Sequence, residues 1–123
     1  MPMTFTIERV YDCQLLPEHH YVLIDRLWPR GVRKEKLQGV QWAKELAPSV
    51  SLRKWFHEDT DGHWEGFARQ YRDELTQEKL IPFISAWKQE GYASVVLLYG
   101  SKQPLHNHAR ILRDRLTKVA GEL

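Results

Sequence analysis

Apolar residues run along this chain in two rhythms, one with the period of strands and one with the period of helices. "FTIERVY" (5–11) alternates at Phe5, Thr6, Ile7 and Glu8, which predicts a half-buried strand. "YVLID" (21–25) and "SVVLLY" (94–99) are continuous apolar runs rich in β-branched residues, the pattern of strands covered on both faces. Only "DCQLLPEHH" separates the first two strands. A helical crossover needs about a dozen residues, so these strands are expected to be antiparallel or not direct neighbours.

The helical rhythm begins later. "VQWAKELAP" fits either a short strand or a helical turn, and Pro48 ends it. Ser49 caps "SLRKWF", in which Leu52, Trp55 and Phe56 share a helix face. After Asp61, residues Trp64, Phe67, Ala68, Tyr71 and Leu75 form a stripe. Pro82 is read as opening the next helix at its first position, with Phe83, Ile84 and Trp87 inward and Gly91 as the stop. The last helix shows Leu105, Ala109, Leu112, Leu116 and Val119 at helical spacing, with Pro104 placed to open it. The expected architecture is one compact α/β domain over residues 1–123, a small, mostly parallel central sheet covered by helices. Trp42, Trp55, Trp64 and Trp87 are assigned to core packing rather than to a platform for bases, because three of them fall in helical stripes.

Bulk properties narrow the class. A chain of 123 residues is long enough for one proper core, and 42% hydrophobic with 28% charged residues is the balance of a globular chain. No apolar run reaches the ~18 residues of a membrane span, and the first ten residues lack a signal-peptide pattern. Cys13 is the single cysteine, which excludes an internal disulfide and most cysteine-based metal sites; the expected location is the cytoplasm. The net charge of +2 is well short of a dedicated nucleic-acid binder. Local basic clusters, Arg30 to Lys36 and Arg110 to Lys118, read first as solvated faces.

Candidate chemistry lies after the two buried strands, where ligands collect in open α/β sheets. In "LIDRLWPRG" an apolar run ends in Asp25 and Arg26 and passes to Arg30; charges at the end of a buried strand need a balancing partner. In "YGSKQPLHNHAR", Gly100 permits a tight turn, and free N–H groups at the following helix start favour an anion. If the two strands are parallel neighbours, both loops converge on one crevice. The candidate catalytic groups are His108 as acid or base, Asp25 as its orienting partner and Lys102 for developing charge; Arg26, Arg30, Tyr99, Ser101, His106 and Asn107 are candidate substrate contacts. Each has a plainer reading: Asp25 paired with a neighbouring base, Arg30 bonded to loop carbonyls, His106 exposed, and His108 packed or capping. No metal site is expected, since His106 and His108 stand two apart without HExxH or a cysteine pair. Cys13 reads as an incidental thiol, and no motif names a cofactor.

"RVYD", "LIDRLWPRG", "KELAPS", "LRKWF" and "LLYGSK…HNHA" together resemble the YeaO-like bacterial family, a domain of unknown function. The resemblance covers nearly the whole chain in order. Longer relatives often have cysteines where this chain has Tyr99 and Asn107, a departure that puts any thiol mechanism they suggest in doubt here. Their strand-end pattern is also similar to rhodanese-like domains, yet the 100–106 loop holds no cysteine and sulfur transfer is not expected. The resemblance implies a fold and a site location, not an activity.

Three functions compete on these residues. The first is a small enzyme acting on a phosphorylated or carboxylated compound. The second is a nucleic-acid binder using the 30–36 loop and the last helix, which lacks a recognised nucleic-acid motif. The third is a regulatory domain that binds an anionic small molecule without chemistry. A concave polar site favours an anionic small molecule as partner. Oligomeric state is left open.

Overall fold

A computed structural model describes residues 3–123. Four strands, β1 (Thr4–Arg9), β2 (His20–Leu23), β3 (Gln41–Trp42) and β4 (Ser94–Tyr99), form one sheet in the order β1-β4-β2-β3, and every pairing is parallel. Four helices complete the fold: α1 (Val50–Glu58), α2 (Trp64–Glu74), α3 (Gln77–Gln89) and α4 (His108–Gly121). The architecture is α/β. Among the described residues, no helix is long and apolar enough to cross a membrane.

Alternation along the strands divides the core in two. Phe5, Val22, Ile24, Val95, Leu97 and Tyr99 face a cluster filled from all four helices. Tyr21, Leu23, Val96 and Leu98 face the opposite cluster, closed by Val10, Val32 and Leu37 with Tyr11, Trp28 and Trp42 packed beside them. The buried strands are therefore covered on both faces, but the α-helices lie on one face only. Irregular segments and 3-10 turns cover the other. β4 is inserted between β1 and β2, so the first two strands are indeed not direct neighbours. They are parallel rather than antiparallel, because the ten connecting residues, a 3-10 turn at Val10–Asp12 and then irregular chain, can span roughly 30 Å, enough to recross the sheet without an α-helix.

Local signals explain most boundaries. Ser49 caps α1, its side chain accepting from the Leu52 N–H. "VQWAKELAP" divides into both of its readings, β3 and then a 3-10 turn at Lys44–Leu46. Gly91, with φ of +82°, ends α3: the Tyr92 N–H bonds to Trp87 O and the Gly91 N–H to Lys88 O. Two boundaries differ from expectation. Pro82 lies inside α3, whose cap is Thr76. The proline is exposed, so the carbonyl it cannot serve faces water, while Leu80, Ile84 and Trp87 stay buried on the other side. And α4 begins at His108 rather than near Pro104, because Asn107 caps it; Leu105 lies before the helix and is exposed.

Candidate functional site

The parallel pairing of β2 with β4 brings the two following loops together at the carboxyl edge of the sheet. They enclose a cavity of about 580 Å³, lined by residues 25–30 on one side and by Gly100, Ser101, Lys102, His106, Asn107 and His108 on the other. Its remaining wall comes from Ala47, Pro48 and the face of α1 bearing Arg53, Phe56 and His57, with Phe67 of α2 behind. The end of β1 ties the loops in place. Arg9 Nε donates to Ser101 O at 3.2 Å, and Tyr11 Oη donates to Arg30 O at 2.8 Å.

Asp25 and His108 form the floor. The Gly100 N–H donates to Asp25 Oδ2 at 2.9 Å, and a Cβ at position 100 would stand 2.9 Å from that oxygen, so glycine is what lets the backbone come this close. His108 Nε2 lies 3.1 Å from Ile24 O and 3.2 Å from Asp25 Oδ1. Its one N–H satisfies the carbonyl and leaves Oδ1 buried without a hydrogen bond, a polar oxygen that a small swing of the ring would serve. With two acceptors against Nε2, the proton of a neutral ring belongs there, and Nδ1 is the nitrogen available for acid–base work.

The other expected residues fall into three groups. Arg30 and Lys102 line the cavity and are exposed, with no side-chain hydrogen bond or ion pair among the described residues. Arg26 also lines it but is engaged, donating through Nε and Nη2 to Pro48 O. His106 stacks on Trp64 at 4.8 Å and sets Nδ1 3.3 Å from Asp61 Oδ1, pinning the rim to the start of α2. Ser101 Oγ accepts the Gln103 N–H. The Asn107 side chain is fully occupied, accepting from the Arg110 N–H and donating to Gln103 O and Pro104 O. Tyr99 is brought to neither loop: it is buried in the helical core cluster and does not line the cavity, because its place in the strand alternation turns it inward.

With this geometry in view, the relatives can be placed. A family model described as "Domain of unknown function DUF488" matches residues 6–116. The chain belongs to the DUF488 family. It is 38% identical over 121 residues to "Uncharacterized protein YeaO" of Escherichia coli, covering 95% of this chain and all of that one. It is 30% identical over 110 residues to "Uncharacterized protein Rv3073c" of Mycobacterium tuberculosis, covering 89% of this chain and 91% of the relative. No solved structure matches significantly.

Beyond the two loops, sequence reasoning missed the cavity residues of this DUF488 chain, Tyr11, Ala47, Pro48, Arg53, Phe56, His57 and Phe67. The apolar spacing of "SLRKWF" marks only an inward face, whereas Arg53 and the following His57 stand one turn apart beside Phe56. The His57 imidazole, exposed on its outer side, is held below its ordinary pKa, chiefly by partial desolvation and then by Arg53 and His108. Buried Tyr71, at the back of the site, donates to Leu46 O and is pushed up by burial, Glu74 and Asp25. Cys13 lies in the opposite core layer, its thiol pushed up to about 11 by burial and Glu8 against the opposing pull of Lys36, so little thiolate forms near neutral pH. Among the described residues no three His, Cys, Asp or Glu side chains converge as a metal site would need.

Proposed function

We propose that this protein binds an anionic small molecule, bearing phosphate or carboxylate, in the cavity between the 25–31 and 99–110 loops. One observation carries this reading. The cavity is lined by four Lys or Arg side chains, Arg26, Arg30, Arg53 and Lys102, against the single carboxylate Asp25. The whole chain is nearly balanced, with 18 such cations and 16 carboxylates, so the local excess is a property of the site. Asp25 is itself turned to the Gly100 N–H and His108, which leaves Arg30 and Lys102 unneutralised at the mouth. Arg30 presents a planar fork suited to an oxyanion, Lys102 a mobile point charge.

In the catalytic form of this proposal, His108 exchanges a proton through Nδ1 while Asp25 and Ile24 O hold the ring, and Lys102 meets developing negative charge. Single-cysteine usage supports a cytoplasmic location. A thermal-shift screen with nucleotides, sugar phosphates and carboxylates tests the reading, since a ligand bound only by the folded state raises Tm. A rise with one anion class, lost in Arg30→Ala and His108→Ala, is expected. No rise with any anion, together with steeply salt-dependent nucleic-acid binding, would transfer the cations to the competing function.

A further inference from the structure

We infer that the bound anion is of the phosphate class and that Arg53 and His57 of α1 hold it opposite the two loops, across the cavity from His108. This rests on the anion-site reading above and adds to it a third wall and a ligand chemistry. Residues 53, 56 and 57 share one face of α1 by their spacing of three and four. Phe56 is buried and stacks on Phe67 at 4.2 Å, which fixes the rotation of that face. Arg53 and His57 are thereby carried to the cavity margin, where the same two side chains also bound a shallow depression shared with Lys54 and Glu58 on the outer face of the helix. Neither makes a side-chain hydrogen bond or ion pair among the described residues.

Cationic side chains with no carboxylate partner among the described residues thus reach the cavity from three separate segments: Arg30 after β2, Lys102 after β4 and Arg53 on α1. A carboxylate is planar, carries one charge and offers two oxygens along one edge. A phosphate group carries up to two charges and presents oxygens tetrahedrally, which matches donors standing on three sides. The two imidazoles fit the same group. His108 has Nε2 committed to Ile24 O and Nδ1 free, and His57 lies in a field made positive by Arg53 and His108, a field that a dianion would offset.

The test is a ¹H NMR titration of the imidazole C2 protons of the full chain with sodium phosphate or sodium acetate at constant ionic strength, assigned through His57→Gln and His108→Gln. The His57 and His108 signals are expected to move together along one saturation curve with phosphate and not with acetate. Arg53→Ala and His57→Gln, both at exposed positions, should each weaken phosphate binding about tenfold while leaving the far-UV spectrum unchanged. Movement of His108 alone, or wild-type affinity in both variants, would overturn the role of α1 and leave the anion site standing. Equal response to acetate would overturn the phosphate class. No response to either anion would sink both readings.

Discussion

The two ends of the parallel sheet are built from similar residue types and reach opposite results. At the amino end, polar side chains satisfy one another. His19 Nδ1 meets Ser94 Oγ at 2.8 Å, and Gln41 Oε1 meets both His20 Nε2 at 2.8 Å and the Trp87 Nε1–H at 3.0 Å. His20 also stacks on Tyr92, with ring centroids 4.0 Å apart. At the carboxyl end, Asp25 and His108 leave a buried oxygen unbonded, and Arg30, Lys102 and Arg53 face a cavity without carboxylate partners among the described residues. A fold that can close a histidine network at one end has no chemical obstacle to closing the other. On the proposed reading, an anion from outside the chain completes the carboxyl end.

That contrast can be broken at either end. The largest stability loss is expected at the closed one: Gln41→Leu strips the partner from the Trp87 indole N–H, whose residue is 2% exposed, and should cost about 1–3 kcal/mol in urea unfolding. Phosphate affinity of the folded fraction should not change. Gly100→Ala comes next, because its new Cβ forces the Asp25 carboxylate away from the backbone N–H; a loss of about 1–2 kcal/mol is expected, with weakened anion binding, measured by denaturation and calorimetry. Arg30→Ala and Lys102→Ala should invert the pattern, moving stability by no more than about 0.5 kcal/mol while lowering anion affinity about tenfold each. A large stability loss in both would place these cations in the fold rather than in a site.

The smallest effect is a pH slope. Because the folded state holds the His57 imidazole below its ordinary value of 6.5, the unfolded chain takes up that proton first. Its contribution to stability is therefore complete above that pH and is lost as pH falls toward the folded value. Urea midpoints measured from pH 8 to pH 5 should fall less steeply in His57→Gln than in the wild type. An unchanged slope would mean that neither burial nor Arg53 and His108 shift the His57 imidazole in the folded state.

How much of this could be read from the chain follows from what each signal depends on. The runs at 21–25 and 94–99 announced buried strands, and turn-forming charged segments after both announced the crevice, since both signals are local. Parallel pairing of β1 with β4, and the insertion of β4 between β1 and β2, depend on contacts distant in sequence. Pro82 misled because helix disruption was judged without knowing which side of α3 faces water. Leu105 misled because it fits the helical spacing, although the Asn107 cap starts α4 beyond it. Tyr99 lies beside the right loop but points into the core, an outcome decided by strand alternation. Arg53 and His57 went unseen because an apolar stripe identifies the buried face of a helix, not the cavity it borders.

The central claim is that the cations at the carboxyl end await an anion, and a paired thermal-shift titration with inorganic phosphate tests it most directly. The wild type and Gln41→Leu should show the same concentration-dependent rise in Tm from different starting points, while Arg30→Ala needs about tenfold more phosphate for the same rise. Equal rises in all three proteins, or none in any, would contradict the account.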